Sequence, residues 1–417
     1  MAIPESVVSS RLTRLQRELE AGSVAALDVF WREVSERGAP LIEPTQDGEQ
    51  AVVTILCRAP MDTKTAGVVS PFSNRTLAGQ AGENLFEFQV DAMTRLLDTD
   101  LWYRTYRFRN DFRTQYRIIL DGIEQPDTLN LRTIVFPGGD EQGWQEQDFV
   151  LSVVELPAAP PQPWVAPRPG VGSGQIVHHR LRSNILKNER RISVYTPFGY
   201  VPEGDRYPLL VLFDGLAYER VMSTPTVLDN LIGAGAIPPL VTVMISSLDG
   251  PTRDREIFCS PSFAEFMIQE LIPMVRGAYH VSTDPSRTIV GGFSAGGLTA
   301  AYLGLQRSDI FGNVLSQSGP FFWKPGAEPE EEWLARQFAA SPRLPVVFYL
   351  EVGLREMGTL HGESDLLRSN RHLRDVLQAK GYTVHYSEYN GGHDWSCWRG
   401  SLADGLMALI GIDKVGP

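Results

Sequence analysis

The chain reads as a mostly parallel α/β sheet with helices on both faces, preceded by an antiparallel β-sandwich of immunoglobulin-like type. Three observations predict this. Residues 175–417 alternate continuous apolar strands with helical stretches, the pattern of a sheet covered on both sides. Residues 1–156 carry β-branched and aromatic runs, often alternating, separated by turn residues. Between them, residues 157–174 (PAAPPQPWVAPRPGVGSG) can neither pair as a central strand nor continue a helix, and read as a stiff linker.

The first domain, 1–156, opens with expected helices at 9–20 and 24–36. Expected strands follow at 51–59, 84–90, 101–108, 112–120, 131–137 and 149–156, punctuated by Asp121-Gly122 and Gly138-Gly139. In the second domain, 175–417, strands are expected at 191–197, 207–215, 240–246, 287–292, 313–318, 345–353 and 383–389. The clearest helices there are 262–279, 296–306 and 363–380.

Composition excludes several classes of function. Of 417 residues, 38 are Lys or Arg and 50 are Asp or Glu, a formal net charge of −12. Sequence-independent nucleic-acid binding needs clustered cations, so no nucleic-acid partner is expected. An anionic ligand would need locally placed positive charge. Three scattered cysteines (Cys57, Cys259, Cys397) provide neither a disulfide framework nor metal-ligand spacing, so no metal site is expected. The amino terminus lacks a signal-like apolar core and no run of about 18 apolar residues occurs, so the expectation is a cytoplasmic protein with no membrane partner. The oligomeric state stays open.

The sharpest signal is Gly291-Gly292-Phe293-Ser294-Ala295-Gly296-Gly297. It contains G-x-S-x-G between a strand and a helix, the setting of a nucleophile elbow. Such a turn exposes the Ser294 hydroxyl at a helix amino terminus, where partial positive charge favours a developing oxyanion. A glycine-rich strand–helix turn is the bland alternative. A serine hydroxyl needs a base, and Gly391-Gly392-His393-Asp394 offers one directly after the last expected strand. None of the other six histidines combines a post-strand position with the order Ser…acid…His. The acid expected between them is Glu356, in the turn after 345–353, with Glu351, Glu363 and Asp365 as rivals. It would fix the imidazole tautomer and stabilise the imidazolium. Two backbone N–H groups are expected to form an oxyanion hole, from Ala295 and from Leu216 after the strand ending at Asp214-Gly215.

These residues carry a resemblance. The V-L-F-D-G-L segment, P-T-R-D-R-E at 251–256, the G-G-F-S-A-G-G elbow, the E-V-G-L-R-E turn and the G-G-H-D-W-S-C-W-R-G stretch resemble the enterochelin (enterobactin) esterases. That family joins an amino-terminal β-rich domain to an α/β-hydrolase domain of esterase-D type. The resemblance implies hydrolysis of the esters of catecholate siderophores, released as 2,3-dihydroxybenzoyl-serine units, with iron arriving only as part of the substrate and no cofactor. It implies Ser294 as nucleophile, His393 as base and Glu356 as acid; not all members keep a strong third residue, so a dyad stays open.

Ferric tris-catecholates are anionic and aromatic, so their site needs guanidinium groups and flat apolar surfaces. Arg253 and Arg255, just after a core strand, and Trp395, Trp398 and Arg399, just after His393, are the expected substrate contacts. Packing and solvated ion pairs are the alternative for each. Loss of both Arg253 and Arg255 is expected to hurt a ferric siderophore more than a small neutral ester. Two other functions compete: a general carboxylesterase or acyltransferase of feruloyl or similar esters, because one elbow serves many substrates, and a ligand-capturing sandwich beside an idle hydrolase half. The sandwich is expected to cover part of the substrate cleft.

Overall fold

In a computed structural model, residues 8–71, 90–139, 145–326, 328–357 and 365–412 are described. Two helices lead, α1 (Ser10–Glu20) and α2 (Ala26–Arg37). Ten strands follow: β1 (Leu41–Pro44), β2 (Gln50–Arg58), β3 (Ala66–Val69), β4 (Val90–Ala92), β5 (Thr94–Arg95), β6 (Leu101–Arg109), β7 (Arg113–Leu120), β8 (Ile123–Gln125), β9 (Thr133–Phe136) and β10 (Phe149–Glu155). They form one sheet of order β1-β2-β6-β5 and another of order β4-β3-β7-β10-β9, with β8 on β7. The sheets share one apolar core, in which Val53 and Ile55 of β2 meet Val68 of β3, Tyr116 and Ile118 of β7 and Val154 of β10. That shared core makes the pair a sandwich. The apolar faces of α1 and α2, with Leu12, Leu15, Phe30 and Val34, cover Leu41, Leu56 and Leu101 on the outer face of the first sheet. The strand expected at 84–90 lies outside the described residues except for Val90.

The second domain holds an eight-stranded sheet of order β11-β12-β14-β13-β15-β16-β17-β18. Its strands are β11 (Gln175–Arg182), β12 (Glu189–Thr196), β13 (Leu209–Phe213), β14 (Val241–Ile245), β15 (Thr288–Phe293), β16 (Asn313–Gln317), β17 (Val347–Gly353) and β18 (Thr383–Tyr389). From β14 through β18 the neighbours run parallel, whereas β12 is antiparallel to both β11 and β14. Every residue of β13, β14, β15 and β16 is buried, as a strand covered on both faces requires.

Helices α3 (Gly215–Arg220), α4 (Thr224–Gly233), α5 (Gly250–Ile257), α6 (Pro261–Phe266), α7 (Ile272–Ala278), α8 (Ala295–Gln306), α9 (Trp333–Ala340), α10 (Leu366–Ala379) and α11 (Trp395–Ile410) complete the domain. A π-helical turn, Met267–Leu271, joins α6 to α7 within the helix expected at 262–279. Residues 157–174 form neither helix nor strand, and the Asn230 amide pins them by donating to Trp164 O and Ala166 O at 2.8 Å each. No helix among the described residues is long and apolar enough to cross a membrane.

Candidate active site

Ser294 stands between β15 and α8 with φ 52° and ψ −129°, a conformation costing a non-glycine residue about 1–3 kcal/mol. Glycines make the bend possible. A Cβ on Gly292 would lie 2.7 Å from the Gly296 carbonyl carbon, and one on Gly297 would lie 2.4 Å from Ser316 Oγ. The Ser294 N–H donates to Gln317 O at 2.8 Å, tying the elbow to the end of the neighbouring strand. Ala295 and Leu216 occupy the first turns of α8 and α3, where N–H groups have no carbonyl four residues back and remain available to a ligand. Ser294, Ala295, Leu216 and His393 all line one cavity of about 660 Å³.

His393 meets Glu356 directly, Nδ1 to Oε2 at 2.7 Å. A carboxylate only accepts, so Nδ1 carries a proton, and in the neutral imidazole the lone pair is then on Nε2. The Glu356 side chain is completely buried, and its other oxygen is held by the Gly353 N–H at 2.8 Å, Ser318 Oγ at 2.6 Å and Tyr389 OH at 2.9 Å. Trp398 fixes the same group from below: its Nε1 donates to Ser318 Oγ at 3.1 Å and its ring meets the His393 ring edge-on at 4.6 Å. Ser318 and Tyr389 carry no local motif, and sequence reasoning missed them.

The rivals of Glu356 lie elsewhere. Glu351 is buried within β17, held by Ser401, Tyr349 and Gln317, and its burial pushes the carboxyl up to about 8. Asp365 caps α10, and Glu363 lies outside the described residues.

The expected substrate contacts divide. Trp395, Trp398 and Arg253 line the cavity. Trp395 and Trp398, three residues apart on α11, both pack on Phe293, with ring centroids at 4.5 and 5.1 Å. Arg253, however, is locked to Asp214 by two bonds of 2.6 and 2.7 Å, and Asp214 also accepts from Ser247 at 2.9 Å. Because Asp214 begins the turn that presents Leu216, Arg253 braces that turn.

Arg255 and Arg399 are corrections. Arg255 is two residues further round α5, bonds Thr252 Oγ1 at 2.9 Å and lies outside the cavity lining. Arg399 follows Trp398 on α11 and therefore points away from it, donating to Gln162 Oε1 at 3.0 Å in a separate groove with Arg113 and Arg132.

The sandwich supplies the opposite wall. Gln115 and Arg117 of β7, Phe136 of β9 and Phe149 of β10 line the same cavity. The Arg117 guanidinium lies 4.1 Å over the Phe149 ring and 3.3 Å from Glu124, and its burial lowers its affinity for the proton. Phe136 meets Trp395 edge-on at 5.2 Å across the domain boundary. All three cysteines are free and buried.

Comparison with known proteins agrees with this architecture. Residues 183–409 match the family described as putative esterase. The chain is 31% identical to the iron(III) enterobactin esterase of Dickeya dadantii (strain 3937), over 93% of each chain. It is 26% identical to the iron(III) salmochelin esterase of Escherichia coli O6:H1, over 96% of this chain and 98% of that one. The crystal structure of the Shigella flexneri enterobactin esterase in the presence of enterobactin superposes with a TM-score of 0.71 at 28% identity, covering 89% of this chain and 95% of that one. With an esterase domain over more than half its length and a near-full-length relative at that identity, the chain belongs to the iron(III) enterobactin esterase family and is a carboxylic ester hydrolase.

Proposed function

We propose that this esterase hydrolyses the ester bonds of catecholate siderophores, ferric enterobactin being the reference substrate, and so lets iron be released. The observation that carries the reading is the 2.7 Å contact between Glu356 and His393 at the cavity that also contains Ser294. His393 Nε2 takes the Ser294 Oγ proton as Oγ attacks the seryl ester carbonyl. The N–H groups of Leu216 and Ala295 receive the negative charge that develops on the carbonyl oxygen. The C–O bond to the alcohol breaks, the alkoxide takes the proton from Nε2, and the acyl group stays on Ser294. Water, deprotonated by His393, then releases the acid. Iron enters as part of the substrate, and the mechanism uses no resident metal.

The aromatic wall of Phe293, Trp395 and Phe149 supports a flat catechol substrate, with Arg117 as the cation reaching the cavity from the sandwich. Three unpaired, buried cysteines support a reducing compartment, and the cytoplasm is the proposed location. A time course of products from ferric and iron-free enterobactin, run beside a feruloyl ester and followed by chromatography, tests the substrate. Preferential cleavage of the feruloyl ester would overturn it.

A further inference from the structure

The loop that bears His393 is gripped by the other domain. The Arg113 N–H donates to Asn390 O at 3.1 Å, and the Asn390 amide donates to Asp111 at 2.6 Å. A Cβ on Gly391 would lie 2.7 Å from Arg113 O, and one on Gly392 would lie 2.9 Å from Pro71 Cβ, so the loop backbone rests directly on the sandwich. Beside the imidazole, the Thr114 hydroxyl donates to Asp394 Oδ2 at 2.8 Å. Asp394 is completely buried. Its other oxygen accepts from Ser396 Oγ at 2.5 Å and the Cys397 N–H at 3.2 Å.

We infer that Thr114 is a positioning residue for ester hydrolysis: from the sandwich, its hydroxyl anchors Asp394 and thereby holds the adjoining His393 imidazole in register with Ser294. The inference rests on His393 being the base proposed above. Ser396 and Cys397 belong to the first turn of α11, which packs in the hydrolase core through Trp398, so they tie Asp394 to its own domain. Thr114 belongs to β7 and is the donor that ties the same carboxylate to the sandwich. Without its hydroxyl, one oxygen of a buried carboxylate loses its donor, and the loop must turn to find another. A shift of about 1 Å at a reacting group is enough to cost a hundredfold in rate. The same strand presents Gln115 and Arg117 to the cavity, so the element that meets the substrate also sets the base.

This separates two roles of the sandwich. A domain that only covers substrate changes KM for large esters and leaves a small one untouched. A domain that positions the base changes kcat for both. The test compares wild type with Thr114→Val and Thr114→Ser on p-nitrophenyl acetate and on ferric enterobactin. Thr114→Val is expected to lower kcat about tenfold or more on both esters with KM within about twofold, and Thr114→Ser, which keeps the donor, to return kcat to within about twofold. Unchanged kcat in Thr114→Val, a loss confined to KM, or no rescue by serine each overturns the inference. If the valine variant does not fold, Thr114→Ala removes the donor without added bulk and makes the same comparison. His393→Ala is run alongside. Wild-type turnover in that variant overturns the assignment of the base, and this inference with it, whereas its inactivity beside a fully active Thr114→Val overturns this inference alone.

Discussion

On the hydrolase wall of the cavity, Ser294 and His393 stand after strand ends and each has a buried anchor: Gln317 holds the elbow, and Glu356, itself held by Ser318, Tyr389 and Gly353, holds the imidazole. The sandwich wall facing them offers the rings of Tyr116, Phe136 and Phe149, the amides of Gln115 and Gln145, and the Arg117 guanidinium, which stacks on Phe149 and pairs with the Glu124 carboxylate. The difference teaches a division of labour. Bond-breaking groups are preorganised on one side, where misplacement is costly. On the reading proposed above, substrate recognition is shared between Phe293 and Trp395 on that side and the residues on the other, where a residue can change without disturbing the elbow.

The largest effect that would break this division is at Ser294. Ser294→Ala should keep the fold and lose turnover by about a millionfold, with no acyl-enzyme by mass spectrometry; near-normal turnover would remove the chemistry from that wall. Glu356→Gln keeps the shape but not the charge, and should lower kcat by about 10⁴, while Glu351→Gln should change it less than about tenfold, measured on any ester. Reversal of that order would exchange the two acids.

A third contrast concerns the arginines. Because Arg253 braces Asp214, Arg253→Ala should slow a small neutral ester and a ferric siderophore alike, by about tenfold to a hundredfold, and Arg255→Ala should slow neither. This replaces the expectation of a loss selective for the siderophore. That selective loss should come from the sandwich: Arg117→Ala should raise KM for the ferric siderophore about tenfold, worth about 1.4 kcal/mol, and leave p-nitrophenyl acetate unchanged.

The smallest effect is on stability. Glu351 is pushed from its usual 4.5 up to about 8 by burial. Its folded form therefore holds a proton that the unfolded chain gives up, and the stability it contributes is complete below 4.5 and lost as pH rises towards 8. Glu351→Gln should flatten the fall in Tm across that window; an unchanged slope would mean that Glu351 ionises in the core.

Local rules made much of the site legible. The elbow could be read because one residue at positive φ, hemmed by glycines, leaves a short-range pattern. His393 could be read from its glycine-flanked place after the last strand. Arg255 and Arg399 could not, because their side chains follow helical phase: a step of one or two residues from Trp398 or Arg253 turns them to another face. Edge strand β11 was missed because its exposed, polar residues, His178, His179 and Arg180 among them, lack the apolar run of its neighbours. Arg117, Phe136 and Phe149 were invisible as site residues because the fold alone brings them beside a serine some 150 positions downstream.

Gly391 and Gly392 leave no gap between the base-bearing loop and the sandwich, so the two halves are not interchangeable parts. A chimera that kept this hydrolase half and borrowed another member's sandwich would have to retain this chain's seat within it, the proline at 71 and the strand at 113–114. Exchange of substrate preference within this architecture is therefore easier by changing single side chains that line the cavity than by shuffling whole domains.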